Sequence, residues 1–150
     1  MHHTDPTPLE QGLATRRQVL GDDWVDQSLA RLNTFNASYQ RLVTTYAWDA
    51  IWNRPGLDRP TRRLLVLAIT AAMGRWEEFE LHARTGLQAD PHNPDAAPVS
   101  PDALAELLLQ VGVYAGVPAA NTGMAIAQRL LQAAGYTPEP TTLHPSADTP

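Results

Sequence analysis

From Leu64 to Met73 the chain carries one polar side chain, Thr70, in ten residues, and this run follows a marked helix start, with Asp58 as N-cap and Pro60 in the first turn. The run falls far short of a membrane span. It predicts a helix buried on nearly all sides, the central helix of the domain. Arg59, Arg62 and Arg63 stand in its first turn, against the positive end of the helix dipole, at about 0.3–1 kcal/mol per exposed charge. Either a protein carboxylate (Asp58, Asp49 or one from a neighbouring subunit) or a substrate carboxylate offsets them.

The segments around that run also read as helices. Leu9–Leu20 stops at Gly21. A second helix follows with Asp22 as N-cap and carries Trp24, Val25, Leu29 and Leu32 at helical spacing. A third begins near Thr34, with Phe35, Tyr39, Leu42, Val43, Tyr46 and Ala50 on one stripe. It continues through Trp48, Ile51 and Trp52, its aromatics mostly core, and ends at Asn53-Arg54-Pro55-Gly56. Ala89–Val99, with three prolines, reads as a loop. Ser100-Pro101-Asp102 opens another helix, and a last one covers Pro118–Ala134 before Gly135. No strand pattern stands out. The expectation is one all-α domain over residues 1–136 and a Pro-rich tail over 137–150.

Function concentrates in Gly74–Leu87. As a continuous helix, this stretch sets Trp76, Phe79, Ala83 and Leu87 on an apolar stripe and Glu77, Glu80, Arg84 and Gln88 on a solvated one. Arg75, Glu78 and His82 form a third stripe, at spacings of three and four. Gly86 follows one turn later and reads as open space beside the imidazole. The cluster is either a structural ion-pair network or a site; three such residues beside a glycine favour the site.

The chain has no cysteine, which removes disulfides, thiol nucleophiles, iron–sulfur clusters and thiolate zinc sites. His2, His3, His92 and His144 lie in terminal or Pro-rich segments, and one His with one Glu makes an incomplete metal site. A net charge of −5 gives no electrostatic case for nucleic acid or an anionic membrane. The N-terminal residues lack the basic and apolar regions of a signal peptide, so the expected place is the cytoplasm.

Beyond these readings, an ordered series of words resembles the 4-carboxymuconolactone decarboxylases: Phe35-Asn36, Tyr46-Ala47-Trp48, Ile51-Trp52, Arg54-Pro55-Gly56-Leu57-Asp58, Thr61-Arg62, Gly74-Arg75-Trp76-Glu77-Glu78 and His82, then Leu108-Leu109-Gln110, Tyr114 and Gly116 to Asn121. The resemblance covers about residues 12 to 134. It implies an AhpD-like helical domain of six to seven helices, a ring-shaped homohexamer, and cofactor-free decarboxylation of a dicarboxylate lactone in protocatechuate catabolism. Arg75 and Glu78 stand where alkylhydroperoxidases of the AhpD type carry their Cys-x-x-Cys pair, so peroxidase chemistry is excluded by residue identity. The resemblance further implies His82 as proton donor or oxyanion partner and Glu78 as the group that orients it. Arg75 is the leading carboxylate clamp, Arg54, Arg62 and Arg63 are further candidates, and Trp52 is an apolar wall. The Ala89–Val99 loop is longer than the family's usual turn, and Thr122-Gly123 replaces bulkier residues. Both departures bear on the substrate more than on the fold.

Overall fold

A computed structural model of the chain describes residues 5–143, and within them the fold is all helical. α1 (Pro8–Leu20) starts at a capping box in which the Thr7 hydroxyl accepts from the Glu10 backbone N–H and the Glu10 carboxylate accepts from that of Thr7. Gly21, at φ 87°, turns the chain into α2 (Asp22–Ala30) and is itself the N-cap expected at Asp22. α3 (Ala37–Leu42) runs into a π-helical segment, Val43–Ile51. α4 (Arg59–Ala72), α5 (Trp76–Gln88), α6 (Pro101–Tyr114) and α7 (Val117–Ala133) complete the fold, with a short 3₁₀ turn, Pro94–Ala96, before α6. Asp58 and Ser100 cap α4 and α6 through their side chains, as their positions predict.

Two apolar clusters hold these helices together. In the larger, Leu67 and Ala71 of α4 meet Phe79 and Ala83 of α5, Leu104, Leu108 and Val111 of α6, and Ala127 and Leu130 of α7. Gly123 belongs to this packing: a Cβ there would lie 2.5 Å from Leu108 Cδ2, so the glycine lets α7 close on α6. The smaller cluster joins Val19 and Leu20 of α1 with Trp48, Trp52, Leu81 and Ala97. Gly12 belongs to the same junction, since a Cβ there would collide with the Thr44 carbonyl of the π-helical segment.

Two burial expectations are corrected. α4 is not buried all round: Arg63, Leu67 and Ala71, one turn apart, face inward, while Leu65, Ile69 and Met73 face out. Phe35 (96 % exposed), Tyr39, Leu42 and Tyr46 are not core either. Phe35 lies in the turn before α3, and within Val43–Ile51 the wider π-helical turn, with i→i+5 bonding, turns Trp48 inward and leaves Tyr46 exposed. Among the described residues no helix is long and apolar enough to cross a membrane. Residues 136–143 carry no helix; the rest of the tail, His144 included, and the N-terminal His2 and His3 lie outside the described residues.

Candidate active site

His82 lies in the middle of α5 at 5 % exposure. Its ring runs nearly parallel to Trp48 (centroids 6.3 Å apart, 8° between planes) and Trp52 (6.2 Å, 13°), which stack on each other at 5.1 Å. The π-helical segment brings both indoles to one side of the imidazole. Nδ1 of His82 is buried without a hydrogen-bond partner. On the other ring nitrogen, Nε2 stands 4.0 Å from Glu78 Oε2, a close approach beyond hydrogen-bond length. The Glu78 side chain is mostly exposed and is the polar group leading from the ring to solvent.

Burial, helped by the positive charge of Arg63, pushes the His82 pKa down to about 3. The ring is therefore neutral at physiological pH. A neutral imidazole still offers one N–H, and in a dry site that is a strong donor to a developing oxyanion.

Arg63 explains how this turn of α5 is held. Fully buried, its guanidinium donates to the carbonyls of His82 (2.7 Å), Val19 (2.5 Å) and Ala96 (3.0 Å) and to the Thr85 hydroxyl (2.6 Å). Burial lowers its own pKa to about 10, which leaves it charged. These four bonds from Nη1 and Nη2 tie α1, α5 and the 89–99 loop together, while Nε of Arg63 is buried without a partner. Gly86 serves the same purpose. A Cβ there would sit 2.8 Å from Arg63 Cδ and 3.1 Å from Val99 Cγ2, so the open space expected beside the imidazole is filled by these two side chains.

The other arginines divide into engaged and free. Arg59 donates to Gln18, Asn53 and the Asp95 carbonyl, and Arg62 to the Arg54 carbonyl at 3.0 Å. Backbone and amide oxygens thus do most of the compensating that was expected of carboxylates. Arg54 and Arg75 are exposed, and neither side chain forms an ion pair among the described residues.

Arg75 is also not on the helix. Gly74, at φ 66°, breaks the chain, Arg75 takes the N-cap position at φ −87°, ψ 69°, and α5 starts at Trp76. The three-residue stripe reduces to Glu78 and His82 on the helix, with Arg75 at its mouth, where Gly74–Glu78 line a cleft of about 390 Å³.

Two residues beside this site were not singled out from the sequence. Trp48 is one; its spacing of four from Trp52 was the available signal. Arg16 is the other, 7 % exposed on α1, on the face that carries Val19 and Leu20, and close enough to Glu78 for the carboxylate to raise its pKa against the larger lowering by burial. Among the described residues no group of His, Asp and Glu is arranged to hold a metal.

Fold and site together define a cysteine-free helical protein of the AhpD-like type, with a buried histidine at its centre. Residues 37–129 match the model of the carboxymuconolactone decarboxylase family, and the chain belongs to that family. It is 38 % identical to a 4-carboxymuconolactone decarboxylase of Acinetobacter baylyi over 135 residues, 90 % of this chain and 95 % of that one. It is 31 % identical to a nitrosuccinic acid decarboxylase of Metarhizium robertsii, over 82 % of this chain and 80 % of the relative. A 4-carboxymuconolactone decarboxylase sequence of Pseudomonas putida matches over 38 residues at 45 % identity, 25 % of this chain and 79 % of that sequence.

Proposed function

We propose that this protein decarboxylates 4-carboxymuconolactone to the enol-lactone of 3-oxoadipate, without a cofactor. The observation that carries this reading is the 38 % identity to a 4-carboxymuconolactone decarboxylase across nearly the whole of both chains. The substrate's departing carboxylate sits on the ring carbon bonded to the lactone oxygen and is conjugated through the ring alkene to the lactone carbonyl. When that carbon–carbon bond breaks, its electron pair moves through the alkene onto the carbonyl oxygen and CO2 leaves. Protonation of the carbon beside the carbonyl completes the reaction. The electron sink lies within the substrate itself.

The protein then has to stabilise an oxyanion, deliver a proton and hold two carboxylates. His82, neutral and walled by Trp48 and Trp52, donates its N–H to the developing oxyanion, where water would otherwise compete. Glu78 stands beyond hydrogen-bond length from Nε2, at 4.0 Å, and so leaves the one N–H of the neutral ring to the oxyanion. The proton arrives from the solvent side, where Glu78 is exposed. Arg75 receives a carboxylate at the mouth of the site with a two-pronged contact. Incubating the purified protein with 4-carboxymuconolactone tests the reaction: enol-lactone and CO2 should form in equal amounts, and folded protein without turnover would reject it.

The kinship to a nitrosuccinic acid decarboxylase favours one alternative, decarboxylation of another dicarboxylic acid whose own electron-withdrawing group takes up the electron pair. We further infer a homo-oligomer, a hexamer by family resemblance. Leu65, Ile69 and Tyr114 are exposed, and the first two line, with Tyr114, a groove of about 880 Å³ between α4 and α6. An apolar surface of this kind supports burial against another copy.

A further inference from the structure

Arg16 is a buried cation without a buried anion. Its guanidinium is held by two neutral acceptors, the Ser28 hydroxyl at 3.0 Å from Nη2 and the Gln40 amide oxygen at 3.3 Å from Nη1. Nε has no partner at all. Its neighbour Arg17 shows the contrast: it pairs with Asp22 and Asp26 on the surface at 3.1 and 2.6 Å. Burying a charge without an opposite charge is costly, and hydrogen bonds to neutral groups recover only part of that cost.

The two acceptors of Arg16 also form walls of a pocket of about 170 Å³, completed by Trp24, Gln27, Arg31 and Asn36. Its lining holds one arginine, Arg31, with three amides and a hydroxyl and no carboxylate, in a chain of net charge −5, and Arg16 reaches it through Ser28 and Gln40. Arg16 shares the buried face of α1 with Val19 and Leu20, which pack in one cluster with Trp48 and Trp52 beside His82.

We propose that Arg16 and this pocket bind the carboxylate that the substrate keeps. This assignment rests on the reaction proposed above. A carboxylate that leaves as CO2 loses its charge, and a fixed cation gripping it would stabilise the ground state against the transition state. The retained carboxylate keeps its charge throughout, so a rigid, buried guanidinium binds it equally before and after the bond breaks. Gln40, at the longer of the two contacts, yields its place to the incoming oxygen, and its amide N–H₂ then donates to the same carboxylate.

The test pairs kinetics with binding of a non-reacting dicarboxylate, succinate, read by titration calorimetry. Arg16→Gln should raise KM by roughly 10–100-fold with little change in kcat, and should abolish succinate binding; Arg16→Lys should restore part of both. If Arg16→Gln fails to fold, Arg31→Gln and Ser28→Ala on the pocket wall take its place, with KM and succinate affinity again the readouts. Unchanged KM and unchanged succinate affinity in the folded variants would overturn the proposal. Arg16-dependent succinate binding in a protein that leaves 4-carboxymuconolactone untouched would reject the reaction and keep the carboxylate pocket.

Discussion

The backbone carbonyl of His82 accepts a 2.7 Å hydrogen bond from Nη1 of Arg63, so one buried guanidinium both fixes the turn of α5 that presents the imidazole and helps keep that imidazole uncharged. Removing Arg63 strands four acceptors in the interior. Arg63→Met should therefore cost at least about 3 kcal/mol, since each buried acceptor left unsatisfied costs about 1–3 kcal/mol. Urea unfolding of the variant measures the loss, and a cost below 1 kcal/mol, on the order of a surface substitution, would contradict the tie.

The same pair predicts a pH dependence. Well above the ordinary histidine value of about 6.5, His82 is neutral in both folded and unfolded chains. As pH falls below the ordinary histidine value, the unfolded chain takes up a proton that the folded one refuses until about pH 3. The unfolded state then binds more protons, so stability falls with falling pH, at up to about 1.4 kcal/mol per unit. Between pH 7 and 5 this amounts to about 2 kcal/mol from His82. Urea midpoints at the two pH values should differ more for wild type than for His82→Gln; equal slopes would mean that the ring titrates normally.

Gly86→Ala places a methyl group 2.8 Å from Arg63 Cδ and 3.1 Å from Val99 Cγ2. Overpacking of this kind costs about 1–3 kcal/mol. Were Gly86 the open approach to the imidazole that its place in the sequence suggests, the same alanine would leave the melting temperature unchanged or higher, because alanine is the better helix former.

Helix ends were the most legible part of the sequence, because they are fixed by local chemistry: Asp58 and Ser100 accept the first free N–H groups, and Gly21 and Gly135 adopt positive φ. Which apolar residues are buried was less legible. Leu65 and Ile69 are as hydrophobic as Leu67, and periodicity does not separate a face meant for the core of one chain from a face left open on it. The π-helical register before Trp52 carries no sequence signal comparable to a cap, so the exposure of Tyr46 could not be read. At the site, the pairing of Glu78 with His82 followed from their spacing on α5. Arg75 followed only in part, because the break at Gly74 moves it off the helix. Arg16 stayed hidden as one of two adjacent arginines, and only tertiary packing separates the buried one from the surface one.

Ile69→Glu, on the exposed face of α4, tests the oligomer. Wild type should sediment well above the 16.4 kDa of one chain, and the variant should shift toward the monomer with its helical content intact. A wild-type monomer at micromolar concentration would contradict the assembly.

The central claim is that a neutral His82 stabilises the transition state of decarboxylation. The most direct measurement is kcat of His82→Gln on 4-carboxymuconolactone, per folded molecule, alongside its thermal melting at pH 7. The account predicts a folded variant with kcat lower by about 10²–10³, the usual loss of one oxyanion donor, and a wild-type rate with no inflection from His82 between pH 5 and 8. A stable His82→Gln protein that turns over at the wild-type rate would contradict it.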